Sequence, residues 1–151
     1  MTDNKQILSR FIDQCWNVRN KSIAEELLSP TYEHFMPGAA EPTVGPKAYQ
    51  ELVDSFVEAF PDVHFEIEDV FGEGERVCVV WTVTGTHKGT FSGIPPTNNS
   101  VLIRGVGVAK IADGKILRIQ SMFDNDSFTK QLGAPAEKAA ESWKKTARAA
   151  P

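Results

Sequence analysis

Between residues 3 and 19, apolar side chains recur at spacings of three and four: Ile7, Leu8, Phe11, Ile12, Cys15 and Trp16. Lys5, Arg10 and Asp13 lie elsewhere on the wheel, so the segment predicts an amphipathic helix. Asp3 is its expected N-cap and Asn20 its left-handed stop, and a shorter helix around Ser22–Leu28 ends before Pro30. Tyr32-Glu-His34-Phe-Met36 reads as a short strand with Tyr32, His34 and Met36 on one face. From Pro37 to Pro46 the chain is rich in Gly and Pro without periodicity, suited to a flap over a cavity. Pro46 then fits the first turn of a second helix, whose stripe is Tyr49, Leu52, Val53, Phe56, Val57 and Phe60 and which Pro61 stops.

From Asp62 the period changes to two. His64–Phe71 alternates in part, and Gly72 to Glu75 supplies a turn. Arg76–His87 is a long strand with Val77, Val79, Trp81, Val83 and His87 on one side and Cys78, Val80, Thr82, Thr84 and Thr86 on the other. Both sides suit burial. The loop 89–100 precedes a strand from Val101 to Ile111, in which Gly105 and Gly107 mark a bend or a close backbone approach. Asp113-Gly114 turns the chain into a last strand from Lys115. Ile116, Arg118, Gln120, Met122 and Asp124 share one face of it, and Leu117, Ile119, Ser121 and Phe123 the other. A short helix runs on to Gly133, and the Ala-, Lys- and Glu-rich stretch 134–151 suits an exposed helical tail.

Helices followed by a run of strands indicate α+β. The expected architecture is a curved antiparallel sheet wrapped around the N-terminal helices, a cone with a central cavity. Residues 1–133 form the domain and 134–151 the tail. At 151 residues the chain is long enough for one core and a pocket. Its apolar (41%) and charged (24%) fractions are ordinary for a soluble globular protein. A net charge of −4 argues against nucleic acid as a partner. No apolar run reaches membrane-span length, and the N-terminus has no signal-peptide pattern, so the expected location is cytoplasmic. Cys15 and Cys78 sit among apolar neighbours and read as buried thiols.

Phosphate-binding glycine loops and a Gly-x-Ser-x-Gly elbow are missing, and His34, His64 and His87 lack metal-ligand spacing. What remains is proton transfer by a carboxylate or histidine, or ligand binding without chemistry. Asp124 stands where the last strand stops, and a carboxylate desolvated at such a lip holds its proton to higher pH. Equally, Asp124 or Asp126 caps the following helix. His34, Trp81, His87, Gln120 and Met122, with Trp16 and Phe56 from the helices, are the candidate pocket walls. For each of these except Gln120, core packing is at least as strong a reading.

Trp81-Thr-Val-Thr-Gly-Thr-His87-Lys-Gly89-Thr-Phe91-Ser-Gly93-Ile-Pro-Pro-Thr97, Asp113-Gly114-Lys-Ile116 and Asp124 through Gln131-Leu-Gly133 closely resemble the SnoaL-like polyketide cyclases of the nuclear transport factor 2-like superfamily. The resemblance spans residues 3–133. It implies an α+β cone, homo-oligomers formed through the sheet, and an intramolecular aldol ring closure on a polyketide ester without metal or organic cofactor. The family's general acid/base, an aspartate ending the last long strand, matches Asp124. Departures from the pattern are Gln120 in place of a usual tryptophan, Asn98-Asn99 in place of Gly-Lys, and no histidine on Val101–Lys110. The expected partner is a small apolar carbonyl compound, with no cofactor. A non-catalytic carrier of a hydrophobic ligand is the alternative, and an isomerase or epoxide hydrolase the third reading.

Overall fold

Capping starts the chain's first helix as its sequence predicts. In the computed structural model, which describes residues 3–133, the Asp3 side chain accepts from Lys5 N at 3.0 Å and Gln6 reaches back to the Asp3 backbone. The tail 134–151 lies outside the described residues. Helix α1 (Asn4–Ile12) widens into a π-helical turn (Asp13–Val18), and together they bury Ile7, Leu8, Phe11, Ile12, Cys15 and Trp16. The left-handed stop falls at Arg19 (φ 63°), one residue before the expected Asn20. Asn20 instead accepts from Ser22 N and Oγ, which leads the chain into α2 (Ile23–Leu27).

Strand β1 (Leu28–Phe35) begins four residues earlier than its alternation suggests, and Pro30 lies within it. The missing proline N–H is accommodated because β1 shifts register against its neighbour between Leu28 and Glu33. A two-residue strand β2 (Thr43–Val44) and helix α3 (Pro46–Ala59) follow. The remaining elements are β3 (His64–Glu73), β4 (Arg76–Thr86), β5 (Ser100–Ala112), β6 (Lys115–Phe123) and α4 (Asn125–Leu132). Asp113 (φ 52°) and Gly114 (φ 75°) both take positive φ, the requirement of the hairpin turn that the sequence signals there.

One sheet results, in the order β2-β1-β6-β5-β4-β3. The pairs are antiparallel except β1 with β6, which is parallel, so the expected antiparallel sheet carries one exception. The hairpin places β6 beside β5 and leaves its other edge for β1, which the N-terminal helices deliver in the same direction.

The helices cover one face of the sheet. Val77, Val79 and Trp81 on β4, Val101, Ile103 and Ala109 on β5, and Ile119 on β6 are buried against them. Gly105 permits this packing: a Cβ there would come 2.4 Å from Trp81 Cζ2, so the indole occupies the space a side chain would need. The outer face is less covered than the sequence suggests. Cys78 and Val80 are half-buried, and Phe71, Val106, Val108 and Met122 are exposed.

Part of the family resemblance, from His87 to Asn99 and at Gln131, forms one clamp at the end of this sheet. His87 Nδ1 meets Thr97 Oγ1 at 3.0 Å, while His87 N donates to Asn99 O and Asn98 N to His87 O, both at 2.9 Å. Lys88 N and Gly89 N donate to Ala59 O at the end of α3 (2.9 and 3.0 Å). Beyond the end of β6, the Gln131 amide replaces a strand, accepting from Leu102 N (2.6 Å) and donating to Leu102 O (3.0 Å). Among the described residues no helix is long and apolar enough to cross a membrane.

Candidate functional site

Between the helices and the covered face lies a cavity of about 110 Å3. Phe11, Trp16, Leu52, Phe56, Phe60, Phe65, Val79, Trp81, Ile103, Ile119, Phe123 and Phe128 give it walls that are almost wholly apolar, and Phe91 closes against Phe56, Phe60 and Phe128 with ring centroids 5.1–5.7 Å apart. A dry apolar cavity of about 150 Å3 holds a benzene ring. This one is therefore of single-ring size, and any larger ligand extends from it.

Polar groups at the wall are few and concentrated. His34, from β1, and Tyr49, from α3, both line the cavity, with ring centroids 5.1 Å apart. His34 Nδ1 is 3.0 Å from the hydroxyl of Tyr32, which is fully buried two residues earlier on the same strand face. Trp16 Nε1 donates to Tyr49 Oη at 3.1 Å. Burial pushes the His34 imidazole down to about 4, so it is neutral at pH 7. Burial likewise raises both phenols well above their usual range, with neighbouring Tyr49 and Cys15 adding for Tyr32 and Cys15 for Tyr49. The Cys15 thiol is pushed up to about 12, mainly by burial and then by Asp54, which leaves it an unreactive thiol. Ser121 and Thr84 also reach the wall. Among the described residues no three of His, Cys, Asp or Glu come together as a metal-ligand set.

Of the candidate wall residues, His34, Trp16, Phe56 and Trp81 line the cavity. Gln120 and Met122 do not. They pair with Val108 and Val106 on the outer face, where Met122 is 55% exposed, because Ile119, Ser121 and Phe123 are the β6 residues that face the helices. His87 is wholly buried but stands beside the cavity, stacked on Phe60 at 5.4 Å and engaged with Thr97. Burial lowers its pKa, against a smaller opposing contribution from a backbone hydrogen bond at Gly89. Asp124 is exposed and is the N-cap of α4, its Oδ1 accepting from Ser127 N at 2.9 Å. It lies outside the cavity lining, on the turn between two residues that belong to it, Phe123 and Phe128. Asp126 forms an exposed ion pair with Lys130 at 2.8 Å. Tyr49, Tyr32, Thr84 and Ser121 are polar residues the sequence reading missed as site elements. The signal was present, since Tyr32 shares the His34 face and Tyr49 sits in the α3 stripe.

Comparison with known proteins agrees with this architecture. The model of the SnoaL-like polyketide cyclases matches residues 6–132. The chain belongs to that family. Nogalonic acid methyl ester cyclase of Streptomyces nogalater is 30% identical over 124 residues, covering 80% of this chain and 90% of the relative. A structure assigned as a SnoaL-like polyketide cyclase from Jannaschia sp. CCS1 superposes with a TM-score of 0.78 at 21% identity, over 89% of this chain and 98% of the other. AclR from Streptomyces galilaeus, assigned as a hydroxylase, gives 0.74 at 26% identity, over 87% and 85%. This SnoaL-like chain thus keeps the family fold, and its relatives carry names from more than one reaction class.

Proposed function

We propose that this SnoaL-like protein is a cofactor-independent cyclase acting on a polyketide-like carbonyl compound, with Asp124 as general acid/base. The observation that supports it most directly is the apolar cavity, two of whose lining residues, Phe123 and Phe128, flank the turn that carries Asp124. One ring or acyl segment of the substrate occupies the cavity, and the reacting carbons lie at the mouth. Asp124 takes a proton from a carbon flanked by carbonyl groups. The electron pair released forms the C–C bond to a second carbonyl carbon of the same molecule, and that C=O π pair becomes an alkoxide. The alkoxide then recovers the proton from Asp124, so no redox partner is needed. Holding both carbons on one bound chain supplies much of the acceleration by proximity. The expected assembly is a homo-oligomer, built on the exposed apolar outer face of the sheet.

The geometry also favours a second reading, that of a non-catalytic carrier, because Asp124 is exposed and already serves as a helix cap. Asp124→Asn separates the two. Asn caps a helix about as well as Asp, so stability should stay within about 0.5 kcal/mol. Ring closure of nogalonic acid methyl ester, the compound named for the Streptomyces nogalater relative, is the first assay to run. Under the catalytic reading turnover falls about 10²–10⁴-fold in the variant. Turnover unchanged by the substitution, or no turnover of this ester and related carbonyl compounds by the native protein, would favour the carrier.

A further inference from the structure

Every nitrogen and hydroxyl at the polar end of the cavity can be assigned a hydrogen-bonding role. Tyr32 is fully buried, and His34 Nδ1 is the one acceptor its hydroxyl meets among the described residues. Were Nδ1 to carry the proton and donate, the Tyr32 hydroxyl proton would be buried with no acceptor, the costly arrangement for a polar group. The satisfied arrangement has Tyr32 donating to Nδ1, which puts the imidazole proton on Nε2. His34 lines the cavity, its Nδ1 is taken, and its Nε2 is neither bonded nor sealed off among the described residues. Tyr49 repeats the pattern. Its oxygen accepts from Trp16 Nε1, and its own proton meets no acceptor among the described residues. Two neutral donors on neighbouring rings thus face a mostly apolar wall, and neither has a protein acceptor among the described residues.

We propose that His34 Nε2–H, with the Tyr49 hydroxyl beside it, is a binding site for a carbonyl oxygen of the ligand, and that Tyr32 is the positioning residue that fixes the imidazole tautomer. The assignment deepens the proposed function and rests on it for the chemistry, since the same oxygen gains negative charge when a carbon beside it loses a proton. Neutral donors held in a water-poor site stabilise that charge without reorganising. An imidazolium would bind the oxygen as well. The apolar surroundings of His34, whose aromatic neighbours are Tyr32 and Tyr49, keep the ring neutral at pH 7. The site therefore selects an oxygen acceptor on a planar, single-ring-sized apolar group, as in an aryl ketone.

Two measurements test this without relying on turnover. The first is the two-bond 1H–15N correlation of His34 in the native protein at pH 7, compared with Tyr32→Phe. The expected pattern is the Nε2–H tautomer in the native protein and a mixture, or the Nδ1–H form, in the variant. An Nδ1–H tautomer in the native protein overturns the proposal. The second is binding of acetophenone and of α-methylstyrene, which share a shape and differ in C=O against C=CH2, followed by NMR titration. Native protein should favour the ketone relative to the alkene by at least about five-fold more than either His34→Phe or Tyr49→Phe. An unchanged ratio in both variants overturns the proposal, and the tautomer measurement stands even where one variant fails to fold. If the ketone preference depends on His34 but no ring closure is found, the cyclase reading fails and the carbonyl site stands. Should ring closure occur with a preference indifferent to His34 and Tyr49, this inference alone falls.

Discussion

Acid should destabilise this fold through His34, by an amount the structure sets. The imidazole is 8% exposed, sits in an aromatic and aliphatic wall, and is lowered by burial from 6.5 to about 4. Between those values the unfolded chain binds a proton that the folded chain does not. The contribution to stability is therefore complete above pH 6.5 and is lost as the pH falls toward the folded value. Worked through, the loss is about 2 kcal/mol between pH 7 and pH 5 and about 3 kcal/mol by pH 4. Urea unfolding followed by tryptophan emission measures it, with His34→Gln as a reference that does not titrate but still offers an acceptor to Tyr32. His87, also lowered by burial, acts in the same direction, but it is common to both proteins and cancels in the difference. The native protein should lose about 2 kcal/mol more than His34→Gln between pH 7 and pH 5. Parallel losses in the two proteins would refute the claim that His34 is buried neutral in the cavity wall.

Two further outcomes follow from the packing. Gly105→Ala places a methyl group 2.4 Å from the Trp81 indole, so thermal or urea unfolding should show a loss of about 1–3 kcal/mol from overpacking. The displaced ring should also weaken acetophenone binding, and a variant that matches the native protein in both respects contradicts the close approach. The outer face predicts self-association: light scattering should report a dimer or larger oligomer, and Val108→Lys with Met122→Lys should return it to monomer. A native protein that stays monomeric at about 100 μM would set that expectation aside, since exposed apolar patches mark association sites only where a partner covers them.

The elements were legible because their periods are clean. The spacing of Ile7 through Trp16 and of Tyr49 through Phe60 belongs to helices, and the alternation from Arg76 onward belongs to strands. What the pattern could not supply is which side of β6 faces the cavity. Alternation defines two faces and is silent on their direction, and a terminal carboxylate draws attention to the face of Gln120 and Met122. The apolar content of Ile119 and Phe123 pointed the other way, and packing against the helices decides for it. The parallel pairing of β1 was hidden for a different reason. It depends on where the N-terminal helices deliver the strand, which no local signal in Leu28–Phe35 encodes.

The same division separates recognition from chemistry. Gly-Thr-His87, Pro-Pro-Thr97 and Gln131-Leu-Gly133 identify the family, yet in the fold they tie a loop to α3 and to the edge of β5. Their spacing is demanding because a side-chain amide must stand in for a strand and an imidazole must meet a hydroxyl ten residues on. Such motifs report how the end of the cone is closed. They carry less information about what the cone holds, which is set by the groups left without protein partners on the cavity wall. Among the described residues those groups include His34 Nε2 and the Tyr49 hydroxyl proton, contributed by a strand and a helix that the family motifs do not touch. A relative could therefore keep every clamp residue and change its ligand by substitutions at positions 34 and 49 alone. Substrate differences within the family should thus be sought on β1 and α3 before the motif loop.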